Sequence, residues 1–226
     1  MGACALRIAS VASPADTFGY RRAPRRTRCL AHALPARTPT PHQASGRVVR
    51  IVAGSRKGHR IAAPKGAVTR PTGDRVREAV FSIVGPVEDA AVLDLFAGSG
   101  AMGLEALSRG AASCLFVERD RDAARVIRAN LEKLQLTGGI VTNRDVTAAL
   151  RDERSRGRRY DLALIDPPYD EWESHAATLA ELLPAVLEDD ALVVVETSDR
   201  VEPELPLDLV TTRRYGSARI TVFSQC

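Results

Sequence analysis

Apolar and polar positions alternate along the chain in a pattern that predicts a parallel sheet covered by helices. Near-continuous apolar stretches, typical of strands buried on both faces, lie at residues 91–96, 113–118, 140–143, 160–166 and 191–197. Between them, apolar residues recur every three or four positions, which predicts helices at 101–109, 120–134, 147–154 and 176–187. This alternation of strands and helices indicates an α/β fold with a mostly parallel sheet.

The end of the chain adds two more strands to this sheet. Residues 209–215 and 218–223 are rich in β-forming residues, and Gly216 separates them. They predict a terminal antiparallel pair. Together with the five strands before them, they give a sheet of seven strands.

A smaller element precedes the sheet. Residues 48–53 and 60–62 flank a turn-like segment and predict a β-hairpin. A helix is then predicted from Thr72, which can serve as its N-cap, to the Gly85-Pro86 pair, which ends it. We therefore expect three parts, which are an N-terminal extension (1–46), a basic hairpin and helix (47–86) and a catalytic domain (87–226).

Charge is distributed unevenly along the chain. The whole sequence carries a net charge of +4, but residues 1–50 hold nine Arg and one acid, which leaves 23 basic and 27 acidic residues for the remainder. Residues 1–46 lack hydrophobic periodicity, so we expect them to be disordered. Three interpretations of this segment stay open: an organelle transit peptide, an RNA-attracting tail, or sequence upstream of the true translation start.

A second basic stretch lies in the hairpin and helix. Residues 50–77 hold eight basic residues against one acid, Asp74. The basic residues are Arg50, Arg56, Lys57, Arg60, Lys65, Arg70, Arg75 and Arg77. Such a concentration on an otherwise acidic body indicates an RNA-backbone contact, and a solvated charged face is the alternative.

Cysteine spacing and hydropathy exclude several classes of protein. The four cysteines stand far apart, with no C-x-x-C pair and no histidine at ligand spacing, so neither a zinc site nor a disulfide framework is predicted. The sequence also lacks an apolar run of the roughly 18 residues that a membrane span needs. We therefore expect a metal-free protein of the cytoplasm without a membrane partner.

A glycine-rich turn follows the first strand of the sheet. Gly98, Gly100 and Gly103 match the pattern G-x-G-x-x-G between a predicted strand and helix, where a dinucleotide or an adenosyl-amino acid can bind. Glu118, at the end of the next strand, can accept hydrogen bonds from the ribose hydroxyls of either ligand. Asp94 favours the adenosyl-amino acid, because a carboxylate repels pyrophosphate and pairs with an ammonium group. A purely structural glycine turn is the alternative.

The fourth strand ends in the sequence Asp166-Pro167-Pro168-Tyr169. An exocyclic base amine is a poor nucleophile, so it must be positioned and its protons accepted before it attacks a methyl group. Asp166 and a carbonyl of the Pro pair can accept the two amine protons, and Tyr169 can stack on a flipped base. This tetrapeptide predicts methylation of an exocyclic amine, and a plain Pro-Pro strand exit is the alternative.

Four segments together resemble the RsmD-type 16S ribosomal RNA guanine-N2 methyltransferases. They are residues 70–78, 94–100, 104–110 and 166–169. The resemblance implies a class I methyltransferase (Rossmann-like) fold, S-adenosylmethionine as the methyl donor, and a guanine of small-subunit rRNA as the acceptor. It also implies a monomer that acts on an assembling ribosomal particle.

By position, the resemblance assigns a role to each motif. Asp94 and the glycine loop would hold the methionine end of the cofactor, Glu118 the ribose, and Asp145 the adenine amine. The complete predicted cofactor set is Asp94, Phe96, Ala97, Gly98, Ser99, Gly100, Glu118, Arg119, Asp145 and Val146. The predicted catalytic set is Asp166, Pro167, Pro168 and Tyr169, and the predicted RNA-binding set is Arg50, Arg56, Lys57, Arg60, Arg70 and Arg75.

Three other functions compete with this one. A DNA adenine-N6 methyltransferase can use the same tetrapeptide, but such enzymes usually carry a target-recognition domain, for which the connections after the fourth strand are too short. A glutamine-methylating enzyme is disfavoured by the basic hairpin. A non-catalytic RNA module that binds the cofactor is disfavoured by the intact tetrapeptide at residues 166–169.

Overall fold

The computed structural model describes residues 49–64, 73–168 and 170–225. The strands of this part are β1 (Val49–Arg50), β2 (Arg60–Ile61), β3 (Ala91–Leu95), β4 (Ser113–Val117), β5 (Gly139–Thr142), β6 (Tyr160–Ile165), β7 (Leu187–Ser198), β8 (Asp208–Tyr215) and β9 (Ala218–Ser224). The helices are α1 (Asp74–Val84), α2 (Ala101–Ser108), α3 (Arg121–Leu134), α4 (Val146–Ser155) and α5 (Trp172–Leu182). No helix in these described ranges is long and apolar enough to cross a membrane.

Seven of the strands form one sheet in the order β5-β4-β3-β6-β7-β9-β8. Strands β3 to β7 pair in parallel, whereas β9 runs antiparallel between β7 and β8. The predicted mostly parallel seven-stranded sheet with a terminal antiparallel pair is thus confirmed. Because the carboxyl ends of parallel strands meet at one edge of a sheet, the loops after β3, β4, β5, β6 and β7 lie side by side.

Helices bury both faces of the sheet. Helices α1, α2 and α3 pack on one face, and α4 and α5 pack on the other. The hairpin of β1 and β2 belongs to the first layer, since Val49, Ile51 and Ile61 share a single core with Val80 of α1 and Phe116 of β4. The described residues of segment 47–86 therefore have no core separate from that of the sheet.

Two element boundaries differ from the predicted ones. The helix predicted at 176–187 is α5, which begins earlier and passes into a 3₁₀ turn (Leu183–Val186) before β7 begins at Leu187. Pro184 explains the change, because it lacks the N–H that a continuing α-helix would use. The N-cap of α1 is Gly73, which gives no side-chain cap, so the predicted Thr72 cap was wrong by one residue.

Candidate active site

The glycine-rich turn between β3 and α2 bends through left-handed backbone conformations. Phe96, Gly98 and Gly100 have φ angles of 61°, 55° and 77°. Gly100 is the N-cap of α2 and has no side chain to accept the exposed N–H groups of the first turn. Asp94 of β3 does this instead, because its Oδ2 accepts the N–H of Gly103 at 2.9 Å. The strand thus caps the helix that follows it.

The three glycines of the motif meet different surroundings. A Cβ on Gly103 would lie 2.4 Å from the ring of Phe116 and 2.6 Å from the Sγ of Cys114, so this glycine allows α2 to pack closely on β4. A Cβ on Gly98 would meet only the carbonyl oxygen of Phe96, at 3.9 Å. Space at Gly98 is therefore open to a ligand that approaches the backbone.

Asp94 lies almost completely out of solvent, with 3% of its surface exposed. Burial raises the pKa of its carboxyl from 3.8 to about 8, the hydrogen bond from Gly103 lowers it, and the negative charge of Glu118 raises it further. A neighbouring cation would favour the ionised form of this carboxyl. The ammonium group of a methionine moiety is such a cation.

Glu118 follows β4 and connects it to the glycine loop. Its Oε2 accepts the N–H of Gly98 at 2.7 Å, and its Oε1 accepts the N–H of Asp120 at 2.8 Å. The side-chain amide of Asn143, after β5, donates to the carbonyl oxygens of Glu118 and Arg119, both at 2.9 Å. These bonds fix the loops after β3, β4 and β5 against one another.

Asp145 and Val146 lie where β5 leads into α4. Asp145 is exposed and is the N-cap of the helix, since its Oδ1 accepts the N–H of Thr147 at 2.8 Å. Val146 is buried beside it. Ala97 is also buried, and Ser99 is half-buried. The predicted cofactor residues therefore share one edge of the sheet.

The predicted catalytic tetrapeptide leaves β6 next to the glycine loop. Asp166 is half-buried, and its N–H donates to the carbonyl oxygen of Leu95 at 3.5 Å. Pro167 is buried and Pro168 is exposed, and the carbonyl oxygen of Pro168 accepts the N–H of Glu171 at 2.8 Å. Tyr169 lies outside the described residues.

A pocket opens beside Asp166, between the sheet and the helices α1 and α2. It holds about 260 Å³ of empty space, part of it open to solvent. The lining residues are Val80, Asp94, Met102, Leu164, Ile165, Asp166, Val194, Glu196 and Ile220. Although three carboxyl groups line the pocket, no group of three His, Cys, Asp or Glu residues in the described part of the chain could hold a metal ion.

Side chains at the start of α5 contact the loops after β3 and β4. The guanidinium of Arg119 pairs with the carboxylate of Glu171 at 2.5 Å. The ring of His175 lies 3.5 Å from the same carboxylate and packs edge-on against Phe96, with ring centres 4.9 Å apart. His175 received no role from the sequence, because its partners stand far from it along the chain.

Comparison with known proteins identifies the family. The family described as conserved hypothetical protein 95 matches residues 49–224. The Escherichia coli ribosomal RNA small subunit methyltransferase D is 37% identical over 171 residues, which cover 73% of this chain and 81% of that protein. The chain belongs to the RsmD family. YlbH of Bacillus subtilis is 39% identical over 182 residues, covering 78% of this chain and 99% of YlbH.

Solved structures with the same fold support the assignment to the RsmD family. The yhhF structure from Escherichia coli superposes with a TM-score of 0.68 at 31% identity, covering 79% of this chain and 98% of that one. The Thermus thermophilus 16S rRNA N2 G1207 methyltransferase, solved with AdoMet and guanosine, shares the fold with a TM-score of 0.60 at 20% identity, covering 79% and 50% of the two chains. The predicted class I methyltransferase fold is confirmed.

The hairpin of this RsmD-family chain is held by two buried polar residues that the sequence analysis did not select. The Glu105 carboxylate, from α2, accepts the N–H groups of Val52 and Ala53 at 2.7 and 2.8 Å. Asn130 of α3 accepts the N–H of Ala62 at 2.8 Å and donates to the carbonyl oxygens of Ala62 and Ser99. The available signal was a polar residue on an otherwise apolar helix face.

The predicted RNA-binding residues occupy different environments. The Arg56 guanidinium donates to the carbonyl oxygens of Leu134 and Gln135 at the end of α3, and Arg50 pairs with Asp74 at 2.7 Å. Three further basic residues are fully exposed, namely Lys57, Arg60 and Arg75. Arg77, counted in the basic stretch, is 1% exposed and therefore faces the core, and Arg70 lies outside the described residues.

Proposed function

We propose that this protein transfers a methyl group from S-adenosylmethionine to the exocyclic N2 of a guanine in small-subunit (16S) ribosomal RNA. The observation that carries the proposal is the position of Asp166, at the carboxyl end of β6, beside the glycine loop and in the pocket that also holds Asp94. Membership of the RsmD family, with an rRNA small subunit methyltransferase among its relatives, supports the same substrate.

The loops after β3, β4 and β5 fit the methyl donor. Asp94 would pair with its ammonium group, Glu118 would accept the ribose hydroxyls, and Asp145 would accept the adenine amine. The open space at Gly98 admits the ligand close to the backbone. S-adenosylmethionine supplies an electrophilic methyl group on a sulfonium centre. The remaining predicted cofactor residues flank this path, namely Phe96, Ala97, Ser99, Gly100, Arg119 and Val146.

The loop after β6 fits the target amine. Asp166 accepts one amine proton, which orients the nitrogen and increases its electron density. We assign the second acceptor to the carbonyl oxygen of Pro167, because that of Pro168 already accepts the N–H of Glu171. Tyr169 would stack on the base. These residues position the amine and accept its hydrogen bonds, and so act as catalytic residues.

The exposed basic residues Lys57, Arg60 and Arg75, together with Arg50 and Arg70, would contact the RNA backbone. Arg56 serves first to dock the hairpin, because its guanidinium already donates to two carbonyl groups. We expect the enzyme to act as a monomer in the cytoplasm, on an assembling small ribosomal subunit.

The test is methylation of small subunits isolated from cells that lack this protein. Mass spectrometry of the nucleosides should find N2-methylguanosine after treatment with the enzyme. For Asp166→Ala we expect kcat to fall on the order of 10²-fold or more, with the Kd of the cofactor nearly unchanged. Asp189→Ala, an exposed acid on β7, is the control and should match the wild type. N6-methyladenine as the product, or an undiminished rate for Asp166→Ala, would refute the proposal.

A further inference from the structure

A third acid lies in the pocket next to the two already assigned. Asp94 of β3 pairs in register with Leu164, and Leu164 pairs with Val194 of β7. Two residues further along their strands, Asp166 and Glu196 lie on the same face of the sheet, because side chains alternate between faces with a period of two. Glu196 lines the pocket and is 8% exposed.

The walls around Glu196 are apolar. Val80, Leu164, Val194 and Ile220 line the same pocket and are all buried. Water therefore has little access to the carboxyl group, and a hydrogen bond made there gains strength from the low local dielectric. A base that enters this pocket must match the carboxyl group in charge and hydrogen bonding, or leave a buried polar atom unsatisfied.

The edges of guanine and adenine differ where such a carboxylate would meet them. Beside its exocyclic amine, guanine carries N1–H, which is a donor. Adenine carries N1 with a lone pair at that position, which is an acceptor. A carboxylate only accepts hydrogen bonds, so it attracts N1–H and repels an unprotonated N1. The Asp-Pro-Pro-Tyr sequence itself serves either amine.

We propose that Glu196 is a specificity-determining residue that selects guanine by accepting a hydrogen bond from its N1–H. Asp166 and Pro167 hold the amine, and Glu196 identifies the ring to which the amine is attached. This inference rests on the proposed function and names the residue that separates guanine-N2 from adenine-type substrates.

The experiment exchanges donor and acceptor on both partners. Reconstituted small subunits carry either guanine or 2,6-diaminopurine at the nucleotide found to be methylated. Both bases have the N2 amine, but diaminopurine lacks N1–H. The wild-type enzyme should prefer guanine by on the order of 10- to 100-fold in kcat/KM. Glu196→Gln can donate to N1, so its preference should reverse. Glu202→Gln, at a 74% exposed site, is the matched control and should keep the wild-type preference.

Each outcome decides between the two proposals. A wild-type enzyme that methylates no guanine in the particle refutes the proposed function. If it methylates guanine and Glu196→Gln keeps the same base preference, or loses both substrates equally, Glu196 does not read the base. Should Glu196→Gln fail to fold, Glu196→Asp replaces it. That variant retains the carboxylate and must keep the preference for guanine, and loss of the preference would overturn the inference.

Discussion

Asp94 caps α2 from a neighbouring strand while it lies next to the proposed cofactor site. Its folded-state pKa of about 8 stands above the ordinary 3.8, so the folded protein holds this proton more tightly than the unfolded chain does. The stabilising effect is complete below the unfolded pKa and is lost as pH rises through the folded pKa. Without the cofactor, the contribution of this residue to the free energy of unfolding should therefore fall between about pH 4 and pH 8.

Asp94→Asn should remove this dependence. The amide stays neutral at every pH and its oxygen can still accept the N–H of Gly103. We expect the Tm of the variant to approach that of the wild type near pH 5 and to exceed it increasingly up to about pH 8. Circular dichroism melting curves across this range measure the difference. Asp122→Asn, at a 77% exposed site, should show no comparable trend, and a pH-independent difference for Asp94→Asn would contradict the raised pKa.

Gly98 and Gly103 should respond differently to replacement by alanine. At Gly98 the added Cβ meets open space, so Gly98→Ala should lose about 1–2 kcal/mol through its positive φ and should bind S-adenosylmethionine much more weakly. At Gly103 the Cβ collides with Phe116 and Cys114, so Gly103→Ala should lose more stability. Urea unfolding and calorimetry separate the two effects. Equal losses of stability would contradict the assignment.

At the scale of elements, the hairpin shows that adjacent basic residues can serve different purposes. The guanidinium of Arg56 donates to carbonyl groups at the end of α3, whereas Lys57 is exposed. Arg56→Ala should lower the free energy of unfolding by about 1.5–3 kcal/mol. Lys57→Ala should leave stability nearly unchanged and reduce the salt dependence of RNA affinity by about 0.7–0.9 log–log units if it contacts one phosphate. Chemical unfolding and binding titrations over a salt series measure both.

Local sequence patterns predicted the elements but not the contacts between distant ones. The strands and helices of the sheet appear close to their predicted places because each pattern is set by residues a few positions apart. The docking of the hairpin depends on Glu105 and Asn130, which follow their partners by 52 to 68 residues. Charge alone placed Arg56 with Lys57, because sequence does not show which carbonyl groups lie near a guanidinium.

The site followed the same division. The residues after β3, β4 and β6 were predictable, because carboxyl ends of parallel strands share one edge. Glu196 was not selected, since it lies inside an apolar strand without a motif around it. Its place in the pocket depends on the register of β7 against β6, which the sequence does not display.

At the scale of the whole molecule, residues 1–46 should be dispensable for turnover. Their composition lacks the apolar content that a core requires, and the family match begins only at residue 49. A chain that starts at Val48 should bind S-adenosylmethionine and methylate small subunits with an unchanged kcat. Comparison with the full chain at several salt concentrations tests this expectation. A weaker affinity for RNA alone would assign the extension a tethering role, whereas loss of cofactor binding would contradict the prediction.

The docked hairpin also sets an order of events during synthesis. Ala62 leaves the translating ribosome before Asn130 exists, and the 68 residues between them take roughly 3–14 s at about 5–20 residues per second. During that interval the N–H groups that Glu105 and Asn130 later accept are hydrated. The first-made element of the described chain is thus completed by later-made ones, and the nascent protein gains its basic surface only after α3 has emerged.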